Sequence, residues 1–297
     1  MRIILIAAAS LLVIAAAEAR QDDADFNVTE VAPGLYNIEG VGGFTGGNIG
    51  LFVGEDGAIL IDDSMPPFSD KLMAAIASVT DQSPKFVINT HYHFDHTGGN
   101  LAMEAAGAII VAHDNVRARL VEEGVPLGDG GANIDAPKEF LPVVTFSKSL
   151  TFHLNGVTTH VMHPNNAHTD GDSIIHFKEI NAVHMGDAFF NGFYPFIDVD
   201  GGGGVDGYIA AQEMVHAHIE DDAVIIPGHG PMATRADLAE SIAMLKDIRG
   251  KIADLKAGGA SEDETVSAAP TADYDEEFTW GFINGERITR AIYRSLP

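Results

Sequence analysis

Residues 88–100 read Ile-Asn-Thr-His-Tyr-His-Phe-Asp-His-Thr-Gly-Gly-Asn. Within them His91, His93, Asp95 and His96 place four metal-binding side chains in six consecutive positions. Side chains two apart on an extended chain share a face, so His91 and His93 point together where a strand ends. A turn after them swings Asp95 and His96 to the other side of the same cavity, and one short segment can then serve two metal ions. Imidazole nitrogens with a carboxylate oxygen suit zinc. The apolar run Phe86-Val87-Ile88 supplies the strand, which sets the segment apart from a polar loop that is merely rich in histidine.

The string His91-Tyr92-His93-Phe94-Asp95-His96 resembles the signature of the metallo-β-lactamase superfamily. The resemblance implies an α/β fold, a four-layer αββα sandwich, with further ligands later in the chain. His168, followed by Thr169-Asp170-Gly171-Asp172, fits the slot that completes the first metal site. Asp187, just after the strand-like run 182–185, fits the carboxylate that bridges the metals or binds the second alone. His229, in Gly228-His229-Gly230, is the last ligand. The implied centre holds two Zn2+ per chain, one on His91, His93 and His168, the other on Asp95, His96 and His229. A hydroxide between them would attack an amide, ester or thioester carbonyl. Asp95 is the expected catalytic residue, orienting the hydroxide and carrying the proton to the leaving group. Asp62, ending the apolar run 58–61, has the family position that steadies a ligand histidine from behind; a ligating imidazole needs an acceptor for its other N–H.

One departure bears on the substrate. The main zinc β-lactamase subclass has Cys where Asp187 stands, and a Lys soon afterwards that grips the drug's carboxylate. Here Ala188-Phe189-Phe190-Asn191-Gly192-Phe193 follows. Asp at this place resembles glyoxalase II, lactonases and other branches, whereas the spacing of His168, Asp187 and His229 resembles the β-lactamase branch. The expected protein is a periplasmic dinuclear zinc hydrolase of a small-molecule substrate, with β-lactam hydrolysis left open. The alternative is a glyoxalase II-like thioesterase or a lactonase. A diiron redox protein of this fold typically carries Glu where His93 stands, and a non-catalytic binding protein would show a gap in the ligand set, which is complete. Phe189, Phe190, Phe193, Tyr194 and Phe196 are either a pocket wall or ordinary core, and Asn191 either assists an oxyanion or shapes a turn.

Positioning these groups requires strands that end at one place. Runs 35–38, 48–53, 58–62, 108–111, 143–146, 150–154, 158–162, 174–177 and 182–185 read as strands. Apolar spacing predicts helices over 70–80, 101–106, 114–122, 207–219 (capped by Asp206) and 234–256. Glycines between 40 and 47 predict a hairpin tip, with Phe44 either a flap contact to substrate or an exposed loop residue. Residues 124–142 read as an irregular crossing loop and 200–206 as a flexible joint. The metallo-β-lactamase domain is expected over 26–256. Residues 257–297 are read as an acidic linker and a C-terminal helix that docks on the body or on a second subunit. Eight of the 13 histidines fall outside the motif and are read as structural.

Composition bounds the rest. With 297 residues and 46% hydrophobic content the chain can bury a large core. Net charge is −26, which repels phosphate backbones and anionic lipid surfaces, so neither nucleic acid nor membrane is an expected partner. Arg2, an apolar run from Ile3 and Ala17-Glu18-Ala19 predict a signal peptide over 1–19 and a periplasmic or secreted mature chain. The absence of cysteine excludes disulfides.

Overall fold

The computed structural model describes residues 23–125 and 133–297. The expected signal peptide, and residues 126–132 of the crossing loop, lie outside them. Among the described residues no helix is long and apolar enough to cross a membrane.

Two sheets form the centre. The first runs in sequence order through β1 (Asp25–Ala32), β2 (Leu35–Val41), β3 (Ile49–Gly54), β4 (Gly57–Ile61), β5 (Pro84–Ile88), β6 (Ile109–His113) and β7 (Val144–Phe146). β1 to β4 pair antiparallel and β4 to β7 parallel. The second contains β8 (Ser149–Leu154), β9 (Val157–Met162), β10 (Ile174–Phe177), β11 (Ala182–His184) and β12 (Val224–Ile226), in the spatial order β12-β11-β10-β9-β8. Only β11 and β12 pair in parallel.

Strand alternation decides which side chain enters which layer. Ile59, Ile61, Ile88 and Val111 of the first sheet meet Val161, Ile175, Phe177 and Ile226 of the second in the space between them. Their neighbours Ala58, Leu60, Val87 and Ile110 face outward and are covered by Leu72 and Ile76 of the helix Ser69–Val79 and by Met103. Central parallel strands are apolar on both faces for this reason. The outer face of the second sheet, through Val183 and Ile225, packs on Ala211, Val215, Leu238 and Ile242. Each such buried aliphatic side chain contributes about 1.5–3 kcal/mol. The layers are helix, sheet, sheet, helix.

Two expectations change, and the chain itself supplies a surface for the C-terminal helix. Asp206 lies inside the first turn of the helix Val205–His218 instead of capping it, and pairs with Arg249 at 2.9 Å; Gly204 is the residue before that helix. The stretch read as a linker contains the helix Glu262–Ser267, whose Ser261 and Glu264 form a reciprocal capping box. The C-terminal helix Gly285–Ser295 docks on the body, with Ile288 and Ile292 packed against Tyr208, Ile248 and Ile252.

Candidate metal centre

Parallel pairing brings the carboxyl ends of β4 and β5 together, Ile61 opposite Ile88, and those of β11 and β12, His184 opposite Ile226. Asp62 follows the first strand of that set, Thr90 and His91 the second, Asp187 the third, and Gly228 and His229 the fourth. Such carboxyl edges are where open α/β sheets form their sites. After His93 the chain makes one helical turn, Phe94–Thr97, which carries Asp95 and His96 across the cavity.

Two groups of ligand atoms result. His91, His93, His168 and Asp187 form one, and Asp95, His96 and His229 the other, with the ligand atoms of each group within 4.8 Å of one another. His93 Nδ1 lies 2.9 Å from His168 Nε2, and His96 Nε2 lies 3.3 Å from His229 Nε2. Asp187 stands between the groups. Its Oδ2 is 3.7 Å from His91 Nε2 and 3.5 Å from His168 Nε2; its Oδ1 is 3.2 Å from His96 Nε2 and 3.5 Å from His229 Nε2. All seven residues named from sequence therefore meet, and Asp187 turns one oxygen toward each group. His163 does not join them: its Nδ1 lies 2.7 Å from the Asp172 carbonyl oxygen and its ring stacks on His113.

The donor set fits metal ions on a direct observation. His91 Nε2 and Asp187 Oδ1 are buried and have no hydrogen bond, a cost of about 1–3 kcal/mol for each neutral group and more for a charged one. Borderline imidazoles with hard carboxylates, in groups of three and four, suit a divalent transition metal, zinc among them.

Electrostatics points the same way. Burial draws His168 down to about 4, and burial, with His96 nearby, also lowers His91, so both present neutral, ligating nitrogens. Burial would lower His229 too, but Asp187 and Asp95 raise it to about 9. His96 is raised against burial by Asp187, Asp95 and Asp62. Burial would raise Asp95 and Asp187, yet the surrounding histidines hold both carboxyls well below the usual range. The carboxylates are ionised and need cations; protons on His96 and His229 are what bound metal would replace.

Behind the ligands lies a layer of acceptors. Asp62 accepts from Thr90 N and Thr90 Oγ1, and its Oδ2 meets His96 Nδ1, each at 2.7 Å. Thr90 Oγ1 is 3.0 Å from His91 Nδ1, so Asp62 steadies one histidine directly and a second through Thr90. This position has φ of +62°, which costs a non-glycine residue on the order of 1 kcal/mol and is retained where the surroundings demand it. His168 Nδ1 lies 2.7 Å from the Phe196 carbonyl oxygen. Asp198, which sequence reading missed, takes His93 Nε2 at 3.0 Å and the Tyr92 hydroxyl at 2.6 Å. The available signal was an acid just before the glycine run. That run is not a loose joint: Gly203 donates to the Asp198 carbonyl at 2.8 Å, and a Cβ on Gly203 would collide with the His168 carbonyl oxygen. Gly228 likewise has no room for a Cβ beside Asp187 Oδ1.

The aromatic run divides. Phe189 and Tyr194 are buried core. Phe190 stacks on His229 with centroids 4.9 Å apart, and Phe196 stacks on His93 at 5.7 Å. Asn191 is structural: its amide donates to the Pro231 and Met232 carbonyls. Phe44 is 59% exposed and lies over the His229 ring, centroids 6.0 Å apart and planes 14° apart. The ligands open into a cavity of about 610 Å³.

Residues 42–229 match the family model described as the metallo-beta-lactamase superfamily. A hydroxyacylglutathione hydrolase from Polaromonas sp. is 27% identical over 246 residues, covering 79% of this chain and 81% of that protein. Among solved structures, a metallo-beta-lactamase from Pontibacter korlensis superimposes with TM-score 0.62 at 19% identity, over 75% of this chain and all of that one. A stereoselective inverting sec-alkylsulfatase from Pseudomonas sp. gives 0.69 at 17% identity, over 91% of this chain and 50% of that one. Both structural likenesses concern the fold.

Proposed function

The chain belongs to the metallo-β-lactamase superfamily and is a hydrolase of that superfamily, and from that premise we propose that it is a dinuclear zinc hydrolase of thioester or ester carbonyls. The observation that carries the reading is Asp187, whose two oxygens face the two ligand groups at 3.2–3.7 Å. The spacing of His168, Asp187 and His229 favoured a β-lactamase; the hydroxyacylglutathione hydrolase relative supports the thioesterase alternative instead. No Lys stands in the stretch 188–193 just after Asp187 to take a β-lactam carboxylate, so β-lactam cleavage is proposed as a side reaction at most.

His91, His93, His168 and Asp187 would hold one ion, and Asp95, His96 and His229 with Asp187 the other. Zinc there would supply Lewis acidity and make water acidic enough to react near pH 7. The protein's own part is orientation and proton handling. Asp62, Asp198 and the Phe196 carbonyl fix the imidazoles behind the ligands. Asp95, held ionised by His96 and His229, accepts the proton released as water oxygen bonds to the carbonyl carbon. It returns that proton to sulfur or oxygen as the carbon–heteroatom bond breaks. Phe44, Phe190 and Phe196 form apolar wall beside this exchange. A periplasmic location, from the pattern over 1–19, belongs to the same proposal and is tested by cell fractionation.

The direct test loads the protein with zinc and assays thioesters, esters, lactones and β-lactams with and without chelator. The expected result is about two ions per chain and chelator-sensitive turnover of thioesters or esters. No turnover, with less than one ion bound, would sink the reading.

A further inference from the structure

The C-terminal segment contributes part of the reaction cavity. Trp280 and Phe282 line it together with Phe44, Phe190 and Phe196. They are not loose additions. Trp280 Nε1 donates to the Tyr194 carbonyl at 2.9 Å, its ring lies 6.1 Å from Phe190, and Phe282 packs edge-on against Phe196 at 5.4 Å. An aromatic wall thus runs from His229 and His93, through Phe190 and Phe196, to the C-terminal segment.

The charge of the lining is one-sided. Among the described residues no Lys or Arg lines the cavity, whereas Glu123 joins Asp95 and Asp187 there. Two arginines stand against the wall, and both are engaged. Arg119 holds Asp170 through two bonds of 2.7 and 2.8 Å and Glu123 through a third of 2.8 Å. Arg287 lies over the Phe282 ring and donates to the Phe282 carbonyl. A substrate carboxylate in this cavity would lose its water and gain no side-chain cation beyond the metal ions. The net charge of −26 opposes its approach as well. An apolar group instead gains by leaving water for aromatic surface, and the volume is in the range of small-molecule pockets.

We propose that this pocket selects esters and thioesters whose acyl group is an apolar chain or ring without a carboxylate, with Trp280 and Phe282 setting the preference. The proposal rests on the hydrolase reading above and narrows it to the acyl group that the cavity takes.

The test uses the zinc-loaded full chain and p-nitrophenyl esters from acetyl to octanoyl, with matched esters ending in a carboxylate. Expected is a rise in kcat/KM of roughly two- to fourfold per methylene until the cavity is filled. Carboxylate-ended esters should fall at least about tenfold below their neutral counterparts. Phe282→Ala should flatten the length series, and Phe282→Lys should narrow the gap between neutral and anionic esters. Trp280 is the only tryptophan, so its emission reports occupancy without turnover. Titration with 2-decanone should shift it to shorter wavelength at lower concentration than 2-butanone does. A flat length series, equal turnover of the carboxylate esters, or equal response to both ketones overturns the proposal. A length-dependent Trp280 shift without any ester turnover sinks the hydrolase reading and leaves the apolar pocket standing.

Discussion

His93 and Asp198 meet at 3.0 Å, Nε2 to Oδ2, although 105 residues separate them. The contact leaves His93 Nδ1 facing His168 and the first ligand group. Asp198 is itself fixed by the Tyr92 hydroxyl and by Gly201 N–H at 2.8 Å. Burial would raise its carboxyl, but His93, Tyr92 and Gly201 hold it well below the usual range, so it is an ionised acceptor for the imidazole.

Asp198→Asn is therefore expected to weaken metal binding at the first group by about 10–100-fold. Competition against a chromogenic chelator measures it, with Tyr92→Phe giving a smaller loss. Unchanged affinity in Asp198→Asn would remove the positioning role.

Asp95→Asn keeps the size of the side chain and removes its basicity. Turnover should fall on the order of 10²–10⁴-fold, while circular dichroism shows the fold intact; metal content measured beside turnover separates loss of the base from loss of a second-group ligand. A variant with wild-type turnover would show that the proton passes elsewhere.

Asp187→Ala takes a ligand from both groups at once. Metal content by mass spectrometry is expected to drop from about two ions to one or fewer per chain. Gly228→Ala should reproduce part of that loss, because its new Cβ runs into Asp187 Oδ1. Two ions retained in Asp187→Ala would exclude the bridge.

His184 contributes to an acid limb of stability. It is fully buried. Gly186 N–H donates to its Nδ1 at 3.2 Å, and its Nε2 lies 3.1 Å from the Asn48 carbonyl oxygen, a pattern suited to the neutral ring. Burial lowers it to about 4 from an ordinary 6.5. A depressed value means stability that is present above pH 6.5 and lost as pH falls toward 4, on the order of 3 kcal/mol for this group. Urea unfolding at several pH values, with chelator throughout, should show that slope in wild type and a shallower one in His184→Gln. Equal slopes would contradict it.

Much of the site was legible because its first half is local. His91, His93, Asp95 and His96 fall within six positions between the end of β5 at Ile88 and the end of the helical turn Phe94–Thr97. The later ligands were legible through short patterns around His168, Asp187 and His229. Asp62 was legible as the acid ending a buried strand; its second role, through Thr90, was not. Helix edges were legible to within a few residues, whereas the capping role given to Asp206 failed because the helix already begins at Val205 and Gly204 precedes it.

What the sequence by itself supplied is a set of seven candidate ligands, four of them grouped by local spacing and three named through the family resemblance, which also implied the layered fold. Only the tertiary structure decided that Asp187 turns one oxygen to each ligand group, because β11 and β12 must pair in register for Asp187 and His229 to meet. It also decided that Asp198 backs His93, and that Trp280 and Phe282 close an apolar cavity read from sequence as a tail. These contacts join segments tens to a hundred residues apart. Their geometry is set by packing of the whole core, which no local pattern encodes.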